Sequence, residues 1–152
     1  FHAYELLNFS REPKLIVPLK RTSRVTEKLL DQHGFNIQGA SYIDILSKHI
    51  NSSLEHPRTT YLHKVTLTEI HDAIIDKIKD MGPGPKTLFI DELHSLIPHH
   101  GELNTRRFID NLSKNMEEYR TKTVVLTNHS RLSKDVSKFL LSNSEEILEI
   151  PN

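Results

Sequence analysis

Two adjacent carboxylates, Asp91 and Glu92, follow the apolar run Thr87-Leu88-Phe89-Ile90 with no spacer between them. Such a run reads as a strand buried on both faces, as in a parallel sheet. Burying a charge is costly unless a partner or a metal compensates it. The acid pair is therefore expected where the strand emerges, at its carboxyl end, the place where open α/β sheets hold ligands. The plainer reading is a strand that simply ends in polar residues. A second apolar run, Thr123-Val124-Val125-Leu126, also ends in polar residues, Thr127, Asn128 and His129. Four of the ten histidines, His94, His99, His100 and His129, fall in the segments after these two runs. If the strands are neighbours, those imidazoles converge with Asp91 and Glu92 on a site for Zn²⁺ or another transition metal. The competing reading makes His99-His100 a solvated loop and His94 a packing or capping residue, and no H-E-x-x-H spacing favours the metal.

Leu88 to Glu92 resembles the Walker B strand of P-loop nucleotide triphosphatases of the ASCE type, in their AAA+ and RecA/KaiC-like branches. The resemblance implies a magnesium role for Asp91 and a general-base role for Glu92, which would polarise the attacking water. Mg²⁺ suits that assignment, because it takes oxygen ligands, keeps several waters and uses one or two carboxylates beside substrate phosphates. Thr123 to His129 is similar to the sensor strand of the same superfamily, which puts Thr127 or Asn128 near the water or the γ-phosphate. Ile147-Leu148-Glu149-Ile150 resembles the closing strand of the core. Arg106 and Arg107 open a helix beside the Pro98–Asn104 segment; an arginine at a subunit edge acts in trans on a neighbour's γ-phosphate, Arg107 being the candidate, although a solvated face is the simpler account. The family's phosphate loop, G-x-x-x-x-G-K-[ST], is missing. Gly82-Pro83-Gly84-Pro85 lacks its lysine, carries two prolines that donate no N–H, and reads as a helix-to-strand connector. Because the sequence opens at Phe1, two readings stand. Either the loop lay upstream, with His2 to Leu7 the remnant of the helix that follows it, or the chain is a degenerate relative used for regulation or assembly. The AAA+ and RecA-like branches both stay open.

Bulk properties set the frame. At 152 residues the expectation is a single domain over residues 1–152, large enough for a true core. Apolar content of 36% and charge of 26% suit a folded globule. Zero formal net charge gives no electrostatic support for a nucleic-acid partner. Without cysteine there is neither a disulfide framework nor a thiolate metal site. No apolar run approaches membrane-spanning length and no signal-peptide pattern opens the sequence, so a cytoplasmic location is expected.

The elements that must position these groups alternate. Leu15-Ile16-Val17 is a short strand ended by Pro18, followed by a basic cluster, Lys20, Arg21 and Arg24. Thr22 or Ser23 caps a helix with Val25, Leu29 and Leu30 on one side, stopped by Gly34. Ser41 to Leu46 is a strand or the start of a helix, Asn51 to Thr60 a loop, and Tyr61 to Val65 a short strand. Thr66-x-x-Glu69 is a capping box before a helix with Leu67, Ile70, Ile74, Ile78 and Met81 at helical spacing. After the Asp91-Glu92 strand come a loop from Pro98 to Asn104 and a helix capped by Asn104, with Phe108, Ile109, Leu112, Met116 and Tyr119 on one face. Ser133 caps a last helix carrying Val136, Phe139, Leu140 and Leu141. Alternation of this kind predicts a three-layer α/β/α domain around a mostly parallel sheet, similar to the RecA-like and AAA+ core. Three functions follow: an ATPase-type domain using ATP and Mg²⁺ and needing a phosphate loop from elsewhere, a non-catalytic regulatory or interaction module, and a histidine-carboxylate metal protein. A protein partner or homo-oligomer belongs to the first two.

Overall fold

A computed structural model describes residues 4–5, 11–50 (Ile50 by its backbone alone), 56, 58–63 and 65–148. Its elements are β1 (Lys14–Pro18), α1 (Ser23–Gln32), β2 (Ser41–Asp44), β3 (Thr59–Tyr61), α2 (Leu67–Asp80), β4 (Lys86–Asp91), α3 (Ile97–His100), α4 (Glu102–Glu118), β5 (Thr121–Val125) and α5 (Lys134–Asn143). Single 3₁₀ turns cover Ser47–Ile50, Leu93–Leu96 and His129–Arg131. The strands form one sheet in the order β3-β2-β1-β4-β5, every pair parallel.

Continuous apolar runs build the two middle strands because both of their faces are covered. All six residues of β4 are buried, and Leu15 to Pro18 of β1 likewise. Period-two alternation sends Leu15, Val17, Leu88 and Ile90 into one core, which α2 fills with Ile70, Ile74 and Ile78 and α4 with Phe108, Ile109, Leu112 and Met116. Ile16, Phe89 and Tyr42 point the other way, into a smaller core with Tyr4, Leu30 and Phe35.

Several boundaries differ from the sequence expectation. The Pro98–Asn104 segment is not a loop: α3 takes Pro98 in its first turn, where its missing N–H costs nothing, and Gly101 turns the chain at φ +80°. Asn104 is not a cap; it sits inside α4 and donates from Nδ2 to the His100 carbonyl at 3.0 Å. Ser41 to Leu46 splits into β2 and a turn, and the short strand lies at Thr59–Tyr61 rather than 61–65, since pairing with β2 fixes its register. Val25 faces solvent at 47% exposure, and α1 buries Ser23, Thr26 and Leu30 instead. Ile147 and Leu148 are outside any strand and are 52% and 56% exposed, while Glu149 and Ile150 lie outside the described residues. The helix expected over residues 2–9 also lies there, apart from Tyr4 and Glu5.

Candidate functional site

Asp91 is the last residue of β4, in register with Pro18 of β1. Alternation after Ile90 turns its carboxylate toward the smaller core, where the Tyr4 ring stacks on Phe89 at 4.9 Å. The Tyr4 hydroxyl donates to Asp91 Oδ2, and Arg21 Nη1 lies 3.3 Å from the same oxygen. Asp91 Oδ1 is buried and has no hydrogen-bond partner among the described residues. Burial pushes the Asp91 carboxyl above the usual carboxylate range; the Tyr4 hydrogen bond and Arg21 pull it back in part, and the Glu92 charge adds to the rise. Burial and the neighbouring Asp91 also hold the Tyr4 phenol protonated, as its donor role requires.

Glu92 follows at φ 62°, ψ 49°, a left-handed conformation that a non-glycine residue adopts at a cost of about 1–2 kcal/mol. Backbone bonds on both sides impose it. Leu126 N donates to the Ile90 carbonyl at 2.8 Å, Leu93 N to that of Leu126 at 3.1 Å, and Ser95 N to that of Glu92 at 2.9 Å. The backbone of the second acid is thus held in a hydrogen-bonded turn. Glu92 is half-buried rather than sealed.

The end of β5 meets the same turn. His94 Nδ1 accepts from Asn128 N at 3.1 Å and lies 3.3 Å from Thr127 Oγ1. Burial lowers the affinity of His94 for a proton, Lys20 and Arg131 lower it further, and Glu92 opposes them. The Asn128 side chain caps the next turn, accepting from Ser130 N at 3.0 Å and Ser130 Oγ at 2.7 Å. Thr127 therefore faces the rim through His94, whereas Asn128 is exposed and locally engaged.

The remaining candidates disperse. Arg107 is exposed on α4, and Arg106 stacks over the Phe139 ring at 5.1 Å. Neither touches the strand-end acids. His99 and His100 meet edge to face at 6.4 Å between centroids, and His129 is exposed. No group of three or more histidine, aspartate or glutamate side chains converges on a metal position among the described residues. The zinc set His94, His99, His100 and His129 does not close on one metal position: His94 turns its Nδ1 to Asn128, His99 and His100 sit side by side in α3, and His129 is exposed after β5.

Sequence reasoning missed Tyr4 and Asp44. Asp44 ends β2 as Asp91 ends β4, and it is fully buried. It accepts from Ser23 N and Oγ at 2.7 and 2.8 Å, Ser47 N and Oγ at 2.8 and 2.6 Å, and Leu46 N at 2.9 Å. Burial raises its proton affinity, but these bonds outweigh burial and hold its carboxyl below the usual range. The amino end of α1, directly after the central strand, is a natural anion site; here the chain's own carboxylate fills it. Gly34 and Gly39 have the glycine spacing of a phosphate loop, but Ala40 stands at the lysine position and the segment enters β2 at the opposite rim from Asp91.

Residues 34–152 match the model of the ATPase family associated with various cellular activities (AAA). No curated protein matches the chain. Among solved structures it is similar to the uncharacterized protein PH0321 from Pyrococcus horikoshii, determined in complex with an unknown peptide. The TM-score is 0.68 at 11% identity, over 95% of this chain and 68% of that one. It is also similar to the KaiC-like protein PH0186 from Pyrococcus horikoshii OT3. Here the TM-score is 0.56 at 15% identity, over 91% of this chain and 60% of that one. At such identities the likeness concerns the fold, an α/β arrangement similar to that of the KaiC-like protein. The family match takes in α2, β4, the acid pair, α4 and β5, well over half of the sequence, and on that ground the chain belongs to the AAA family of ATPases.

Proposed function

We propose that this chain is an ATPase-type domain in which Asp91 holds Mg²⁺ and Glu92 acts as general base. The phosphate-binding loop comes from residues outside this sequence or from a partner. The observation that carries the reading is Asp91 Oδ1, a buried carboxylate oxygen at the strand rim with no hydrogen-bond partner among the described residues. Hard oxygen donors of this kind fit Mg²⁺, directly or through water. When bound, the ion neutralises charge on the transferring phosphate. Tyr4 and Arg21 hold Oδ2 and so fix which oxygen is free. Glu92, set by its left-handed backbone, takes the proton of the attacking water. Thr127 and Asn128 report the phosphate to β5, and exposed Arg107 reaches a neighbouring copy in a homo-oligomer. Among the described residues β5 is an edge strand, which gives a phosphate-binding element an open edge beside Thr127.

The decisive measurement is Mg-ATP binding and turnover by the full natural protein that contains this sequence. Glu92→Gln is expected to keep binding and to lose about 10²-fold or more in turnover, the scale of a removed general base. Turnover unchanged in Glu92→Gln, or no nucleotide affinity in the full protein, overturns the reading. The second outcome supports a nucleotide-free regulatory or interaction module. That alternative is favoured by Arg21, whose charge already stands at Asp91, and by Asp44, which already fills the amino end of α1. PH0321, of similar fold, was determined with a bound peptide.

A further inference from the structure

The strand order turns back on itself at one place. From β1 the chain runs outward through β2 to β3, then returns to the other side of β1 as β4 and continues to β5. Between β1 and β4 the connections leave in opposite directions, and the carboxyl ends of the strands open a crevice there. A cleft of about 620 Å³ occupies it, within the range of roughly 300–1,000 Å³ typical of small-molecule sites. Its floor is aliphatic, with Leu19, Ile45 and Leu96 from the larger core and Leu46 and Val65 beside them. Asp91 points into the opposite face, and neither Asp91 nor Glu92 lines this cleft.

Its charged lining has one sign. Lys20 and Arg131 face the cleft together with His49, His94, Ser95, His99 and His100, and no aspartate or glutamate does. Lys20 and Arg131 are exposed, and neither has a carboxylate at ion-pair distance among the described residues. Both repel a proton on His94, where the Glu92 charge opposes them. The His94 ring adds a donor: Nδ1 accepts from Asn128 N, which assigns the ring proton to Nε2. Two cations without an ion-pair partner among the described residues, over an apolar floor, call for an anion with an apolar body.

We infer that this switch-point cleft binds a small amphipathic anion, a carboxylate or phosphate monoester on an aliphatic body, with Lys20 and Arg131 on its head and the Leu19–Ile45–Leu96 floor under its tail. The inference stands apart from the nucleotide reading, since neither Asp91 nor Glu92 lines the cleft. Through His94 its occupancy reaches Thr127 and Asn128 at the end of β5.

Octyl phosphate, octanoate and neutral octanol are the probes, titrated into the ¹⁵N-labelled chain while amide shifts are followed. Saturable shifts are expected at Ser95 and Asn128 for both anions, with octanol weaker by about tenfold or more. The Lys20→Met/Arg131→Met double variant changes only exposed side chains and is expected to lose about tenfold or more in affinity for octyl phosphate. Equal affinity for octanol, unchanged affinity in the double variant, or shifts confined to other surfaces overturns the site. Displacement of octyl phosphate by Mg-ATP would make the cleft the nucleotide's own site and overturns its separateness.

Discussion

Asp91 carries its carboxylate to a position that is 2% exposed, and its two partners satisfy only one of its oxygens. A carboxyl whose folded-state proton affinity is raised favours the fold in its protonated form. That contribution is complete below the ordinary aspartate value and is lost as pH rises through the raised one. At neutral pH the ionised group therefore weighs against the fold. Asp91→Asn removes that burden while keeping an acceptor for Tyr4. The variant is expected to melt higher than the parent near neutral pH. The difference should shrink as pH falls toward the ordinary aspartate value, where the parent also becomes neutral. Melting curves at several pH values measure it. A variant that melts well below the parent at neutral pH would show that the Arg21 contact outweighs burial. The strand-end position of the acid pair was legible because adjacent charges are costly inside a buried strand, but the burial of Asp91 at 2% exposure was not. Tyr4 was not, since it reaches Asp91 across 87 residues of sequence. Asp44 was not, since the serines that ring it carry no pattern of their own.

Three of the four helix caps expected were legible, because a cap is a local bond between a hydroxyl and a backbone N–H two or three residues on; the fourth, Asn104, lies inside a helix that Gly101 starts. Thr22, Thr66 and Ser133 all accept as their positions imply, from Val25, Glu69 and Val136. The α2 stripe fell where a period of 3.6 put it, on Ile70, Ile74 and Ile78. Thr66→Ala is therefore expected to cost about 1 kcal/mol in urea unfolding with the slope unchanged. A loss under a few tenths would mean that the packed stripe alone holds the first turn. Elements governed by distant partners were harder. Thr59–Tyr61 is a strand only because β2 offers it a ladder, and the Pro98 segment winds into α3 because proline suits a first helical turn as well as a loop.

At the scale of the molecule, the three-layer parallel class could be read from alternation, but the strand order could not. Nothing local states that β1 lies at the centre or that β5 lies at an edge. That order sets how tightly each strand is held. β4 bonds on both sides, to β1 and β5, and lies under α2 and α4; β5 bonds to β4 alone among the described residues. Leu126 N points inward to the Ile90 carbonyl, so a period of two turns the Thr123 and Val125 amides outward. Hydrogen exchange on this chain should find the slowest amides in β1 and β4, at Ile16, Phe89 and Ile90, with Val124 protected and Thr123 and Val125 fast. Slow exchange at Thr123 and Val125 would contradict an open edge and mean that another strand already covers β5. Repeating the measurement across protein concentration separates the two sources of that cover. Protection that grows with concentration would come from a second copy, and protection that does not would come from the same chain.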